Sequence, residues 1–239
     1  MTTFLLVHGA CHGGWCWERV VPLLEMQGHR VLAPDLPGMG EDKTPLAAVT
    51  TDLWTQHLVD LIGGEFEPVV LVGHSRGGMQ ISAVAEAVPN RLRRLVYLAA
   101  FVPLDGQTNL ELVMSFCSSE LMSAAGRLQE AEATGLPAGV AKAIFYNTTE
   151  DAWAERAASM LCAEPITVMT TPAHLTAERF GKVSKTYIEC LADHALPLEG
   201  QRKMQAHAQF ERVMQLATDH SPFYSAPEKL AWALMQAAA

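Results

Sequence analysis

Four consecutive apolar residues, Val69-Val70-Leu71-Val72, run straight into Gly73-His74-Ser75-Arg76-Gly77-Gly78, and Met79 to Ala87 then continues at helical spacing. The apolar run, three of its four residues β-branched, fits a buried strand. Clustered glycines break that strand in a bend too tight for side chains at positions 73, 77 and 78. Strand, sharp turn and helix around Gly-x-Ser-x-Gly make the pattern of a nucleophile elbow. Such a turn forces its central residue into a strained backbone conformation and lifts the Ser75 hydroxyl to the end of a sheet. A turn serine with a purely structural role is the bland alternative, and the strand–helix setting argues against it.

Other short apolar runs lie at 4–7, 30–33, 95–99, 186–191 and 210–216. Helical patterns separate most of them, so the fold class is α/β: a mainly parallel sheet of about six strands with helices on both faces. A helix is expected over 17–27, closed by Gly28, and another over 51–62. The last helix is expected to open at Ser225-Ala226-Pro227-Glu228, which reads as a capping box. Between 103 and 182 the alternation stops. Met, Ala, Thr and Leu dominate there, with helical patches at 110–127 and 151–161. The expected organisation is therefore a core of residues 1–102 and 183–239 with a helical lid of residues 103–182 over the C-terminal edge of the sheet, where α/β enzymes bind ligands.

At 239 residues the chain fits one domain with a full core, and 49% hydrophobic against 18% charged residues excludes a disordered protein. A formal charge of −9 argues against nucleic acid or an anionic membrane as partner. The N-terminus lacks a basic region followed by a long apolar run, and no run approaches the ~20 residues of a membrane span, so a soluble cytoplasmic protein is expected. Five cysteines read as reduced thiols. Cys11-His12 and Cys16 lack a second pair at metal-site spacing, and neither a metal nor a cofactor is expected.

A serine hydroxyl needs a general base and an acid that orients it, and on this fold the order is Ser, then Asp or Glu, then His. Among nine histidines, His220 stands in a polar loop between the last strand and the last helix. His174 and His207 fall in helical or lid sequence, His29 begins a strand at the opposite edge, and His57 belongs to a helix face. For the acid, Asp193 follows run 186–191 and emerges at the same edge as Ser75; Asp105 is the competitor, and Asp219 adjoins the base too closely to reach its far nitrogen. Backbone N–H groups for an oxyanion are expected from Arg76, directly after the nucleophile, and from Ala10 in the glycine-rich loop 8–14. His8 and His12 fit a role in shaping that loop. His12, with Phe116, Phe145 and Trp153 of the insertion, is assigned to the substrate pocket.

With these residues assembled, the chain resembles the α/β-hydrolase superfamily, in particular its plant methylesterase and hydroxynitrile lyase branch with bacterial esterases of that type. The likeness is carried by Leu5-Leu6-Val7-His8-Gly9-Ala10-Cys11-His12-Gly13-Gly14-Trp15-Cys16-Trp17, by Asp35-Leu36-Pro37-Gly38-Met39-Gly40, and by the elbow and both catalytic loops. It implies Ser75, Asp193 and His220 as a triad, with Ala10 and Arg76 as oxyanion donors. Arg76 departs from plant relatives, which more often carry an apolar residue there. A cation at a helix N-terminus opposes the helix dipole, so a nearby carboxylate or a solvent-facing pose must compensate.

The expected function is a serine carboxylic-ester hydrolase acting on a small, largely apolar ester through an acyl-enzyme. The partner is then a small-molecule ester, and a homodimer is left open. The alternatives are carbon–carbon cleavage of the hydroxynitrile lyase type and a small-molecule receptor with a vestigial triad. Lyases of the resembling branch place lysine after the catalytic histidine and threonine in the first loop. Here those places hold Ser221 and Gly9.

Overall fold

The structure is a computed structural model that describes residues 1–128 and 133–239. Six strands form one sheet: β1 (Thr3–Val7), β2 (Arg30–Leu32), β3 (Val69–His74), β4 (Leu92–Leu98), β8 (Lys185–Cys190) and β9 (Arg212–Leu216), in the order β2-β1-β3-β4-β8-β9. Every pairing is parallel. All six C-terminal ends therefore share one edge. Val7 pairs with Gly73 and Gly73 with Tyr97, so the loops after β1, β3 and β4 leave the sheet side by side.

Period-two alternation sends successive side chains to opposite faces, and both faces are apolar because both are covered. Phe4, Leu6, Val70, Val72, Val96 and Ile188 pack with Trp17, Leu24, Leu230 and Leu234. These come from the loop after β1, from α1 (Val21–Met26) and from α11 (Pro227–Ala238). On the other face Leu5, Val7, Leu71, Leu95 and Tyr187 pack with Trp54, Leu58 and Ile62 of α2 (Thr51–Gly63) and with Ile81 and Val84 of α3 (Gly77–Ala87). Each such fully buried aliphatic side chain contributes roughly 1.5–3 kcal/mol.

Three expected elements differ. The helix expected over 17–27 is a 3-10 turn, Gly14–Trp17, followed by α1, because Pro22 is accommodated only in a first helical turn. The pattern at 110–127 is two helices, α4 (Asn109–Phe116) and α5 (Ser119–Ala124), each with its own cap: Thr108 and Glu111 form a capping box, and the Ser118 hydroxyl accepts from Leu121 N–H. α11 begins at Pro227 without a side-chain cap, since the Ser225 hydroxyl donates instead to Asp219 Oδ1 at 2.8 Å.

Between β4 and β8 the chain also forms α6 (Ala138–Phe145), α7 (Asp151–Met160) and α8 (Thr167–Thr170). It is not wholly helical. β5 (Gly126–Leu128), β6 (Ala133–Gly135) and β7 (Glu164–Pro165) make a small antiparallel sheet. Strands of two or three residues are too short to register as periodicity. α9 (Leu198–Gln205) follows β8, and α10 (Pro222–Ser225) precedes α11. No helix among the described residues is long and apolar enough to cross a membrane.

Candidate active site

Ser75 sits at the end of β3 with φ of 53°, in the left-handed region that an L residue seldom occupies. Neighbours over-determine that conformation. Ser75 N–H donates to Leu98 O (3.1 Å), and Ser75 O accepts from Gly78 N–H and Phe101 N–H (3.0 Å each). A Cβ at Gly78 would lie 2.0 Å from Phe101 O, and one at Gly73 would lie 2.7 Å from Gly77 O. The bend therefore admits no side chain at either position.

His220 stands in the loop after β9, 2% exposed, with Nδ1 2.7 Å from Asp193 Oδ2. Asp193, in the loop after β8, is fixed in turn: Ala195 and Leu196 N–H both donate to its Oδ1 at 2.8 Å. A carboxylate can only accept here, so Nδ1 carries the proton and Nε2 is left as the basic nitrogen. The competing acids do other work. Asp105 Oδ1 accepts from Leu175 N–H at 2.9 Å. Asp219 is fully buried and organises the loop around His220, accepting from Ser221 N–H, Ser225 Oγ, Thr148 N–H and Thr149 Oγ1.

Ser75, His220, Ala10 and Arg76 line one pocket with Phe101, Val113, Leu121, Leu136, Phe145 and Leu196. Asp193 stays behind His220. Of the four side chains assigned to the pocket from sequence, Phe145 lines it and stacks on the His220 ring, with centroids 5.4 Å apart. The other three are not among its lining residues. His12 donates from Nδ1 to Ala10 O (2.7 Å) and accepts from Tyr146 Oη at Nε2 (2.7 Å), which braces the loop that carries Ala10. Trp153 stacks on Tyr224 and lies under the Arg19 guanidinium. Phe116, at the end of α4, packs against the core and against Gly200. Aromatic bulk in an inserted segment is as readily used for its own packing as for a ligand.

Three other histidines support the site while buried and neutral. Burial and the Arg76 charge push His8 down to about 3, and burial pushes His12 down to about 4. His74 is held well below the ordinary histidine range by burial and by the neighbouring His220 and His12.

The Arg76 side chain turns inward and is 1% exposed. Its Nε donates to Glu164 Oε2 (2.8 Å), its two terminal nitrogens to Gln80 Oε1 (2.8 Å) and Gly9 O (3.1 Å), and its guanidinium lies 4.4 Å from the Trp54 ring centroid. Of the two compensations expected from sequence, a carboxylate or a solvent-facing pose, the structure has the carboxylate, Glu164 from β7. The sequence does not identify it, because Ala163-Glu164-Pro165 carries no motif. Glu164 also takes Cys11 N–H at 3.2 Å. One carboxylate thus ties the elbow and the loop after β1 to the insertion.

Residues 4–234 match the Alpha/beta hydrolase family model. The chain is 32% identical over 247 residues to Methylesterase 1 of Arabidopsis thaliana, covering 95% of this chain and 92% of the relative. It is 30% identical over 254 residues to Salicylic acid-binding protein 2 of Nicotiana tabacum, covering 98% and 96%. Among solved structures, a pyrethroid hydrolase from Sphingobium faniae superposes with a TM-score of 0.89 at 29% identity, covering 99% of this chain and 97% of that one. With the elbow, the parallel sheet and the order of the loops bearing Ser75, Asp193 and His220 in place, the chain belongs to the alpha/beta hydrolase family.

Proposed function

We propose that the protein is a serine carboxylic-ester hydrolase that takes a small, largely apolar ester through an acyl-enzyme. The observation that carries this reading is the meeting of Ser75 and His220 on one pocket, with His220 Nδ1 2.7 Å from Asp193. The methylesterases and the pyrethroid hydrolase to which the chain is similar support the same reaction class.

In the first half-reaction His220 Nε2 takes the Ser75 proton and Oγ attacks the ester carbonyl. The oxyanion is met by the N–H groups of Ala10 and Arg76. The intermediate expels the alcohol, which leaves with the proton from His220. Water, deprotonated by His220, then attacks the acyl carbon and frees the acid and Ser75. The insertion of residues 103–182 serves as the cap that keeps the pocket apolar. Cyanohydrin cleavage is less well supported, since expelled cyanide needs a free cation and the Arg76 charge is matched by Glu164.

The test is hydrolysis of p-nitrophenyl acetate and butanoate by the wild type and by Ser75→Ala, with labelling by a fluorophosphonate probe. A fall of about 10³- to 10⁶-fold in a folded Ser75→Ala protein is expected. Ester turnover that survives in that variant, or labelling on another residue, overturns the mechanism.

A further inference from the structure

Glu164 is fully buried, yet among the described residues only one of its two oxygens finds a partner. Arg76 Nε and Cys11 N–H both donate to Oε2, while Oε1 has no partner among the described residues. The guanidinium cannot swing across to serve it without releasing Gln80 or Gly9 O. A bare carboxylate oxygen is costly inside a protein, and such an exception calls for an explanation. This one belongs to a residue that lines the same pocket as Ser75 and His220.

We infer that Glu164 is a specificity residue whose Oε1 accepts a hydrogen bond from a hydroxyl or N–H group of the substrate. The inference rests on the ester-hydrolase reading above and names the substrate class more closely: a neutral ester that carries a donor. Charge selects the donor's form. Arg76 and Glu164 already cancel, so an ammonium would bring an unmatched charge into an apolar pocket, and an anionic substrate would meet the carboxylate's lone pairs. Asn109 lines the same pocket at 1% exposure, with Nδ2 on Met169 Sδ and Oδ1 unpartnered. Exchanging its amide atoms would present an N–H instead. It is therefore Glu164, whose terminal atoms are both oxygen, that demands a donor on the ligand.

The experiment compares methyl 3-phenylpropanoate with analogues carrying a hydroxyl, or its methyl ether, at C2, C3 or the ring 4-position. A methoxy group fills the space and cannot donate. The wild type is expected to favour the hydroxyl over the methoxy partner by about tenfold to a hundredfold in kcat/KM at one position at least. That ratio should collapse towards one in Glu164→Gln and in the charge-neutral double variant Arg76→Gln/Glu164→Gln, whose folding is checked by thermal melting. A wild-type ratio at or below one at every position overturns the inference while leaving the hydrolase reading intact, and it does so whether or not either variant folds. If the wild type hydrolyses none of these esters, the hydrolase reading is decided by the p-nitrophenyl esters and the fluorophosphonate label. The hydroxyl-to-methoxy ratio of Kd values, measured by calorimetry on Ser75→Ala, then decides the inference by the same criterion.

Discussion

The His74 ring donates from Nε2 to the main-chain carbonyl of His220 at 2.8 Å, so the residue before Ser75 holds the backbone of the candidate base. The ring is also packed edge-on against Phe223, with centroids 5.0 Å apart, and against Trp17. Ser75 and His220 come from segments 145 positions apart in the chain, and this contact fixes one against the other. His74→Ala is expected to lower kcat by about ten- to a hundredfold with a smaller change in KM, since displacement of a catalytic group by about 1 Å is that damaging. Steady-state kinetics on a panel ester checks this. An unchanged kcat in the folded variant would mean that the loop holds its shape without the contact.

Asp193→Asn is expected to be far more damaging than Asp105→Asn. An amide at 193 cannot stabilise the imidazolium of the proposed mechanism, and about 10³- to 10⁴-fold in kcat should be lost. Among the described residues Asp105 Oδ1 serves only Leu175 N–H, and its loss should stay within about threefold. Parallel kcat/KM measurements on the two variants decide between the carboxylates. A dead Asp105 variant beside a working Asp193 variant would reverse the assignment.

The Arg76–Glu164 pair, 1% and 0% exposed, should behave as a buried ion pair. Glu164→Ala leaves the guanidinium unmatched and is expected to destabilise by about 3–5 kcal/mol. Arg76→Met together with Glu164→Met should cost less than Glu164→Ala alone, since no charge is stranded. Urea midpoints for the single and double variants give the comparison. A double variant less stable than the single one would show that the pair contributes beyond mutual neutralisation.

Stability should fall with acid well before the carboxylates titrate. His8, His12 and His74 are held neutral in the folded protein, whereas in the unfolded chain they take protons near the ordinary histidine value. The unfolded state therefore binds more protons at acid pH, and unfolding free energy rises with pH across that window. For His12 the window runs from about 4 up to the ordinary histidine value of about 6.5, and for His8 it reaches down to about 3. Each contributes up to about 1.4 kcal/mol per pH unit inside it. Urea unfolding at half-unit steps from pH 7.5 to 4.5 should show a steep decline below about pH 6.5. A flat profile down to pH 5 would contradict neutral burial of these rings.

All six sheet strands could be read from apolar runs: the four inner ones are largely buried on two faces, and the edge strands β2 and β9, though partly exposed, keep Val31-Leu32 and Val213-Met214. Their parallel arrangement followed from the helices between them. The candidate site was legible wherever a local pattern marks a residue, as Gly73 to Gly78 marks Ser75, or wherever chain order restricts the choice, as it does for His220 after the last strand. Contacts between distant segments carry no such trace. Glu164 lies 88 positions from Arg76, and Thr148 and Thr149 lie about seventy from Asp219, so each pairing exists only in the folded chain. Trp153 and Phe116 were misplaced for the same reason: composition reveals an aromatic residue, but not which surface it covers.

An insertion of some eighty residues usually forms a cooperative unit of its own, opening at lower free energy than the body that carries it. Here two buried carboxylates join the insertion to the rest of the molecule from opposite sides, Glu164 reaching out to the elbow and Asp219 reaching in to Thr148 and Thr149. Rigid-body swinging would expose an ion pair and break both sets of hydrogen bonds at once. Amide exchange in β7 and around Thr149 should therefore follow that of β3 and β4 rather than run ahead of it.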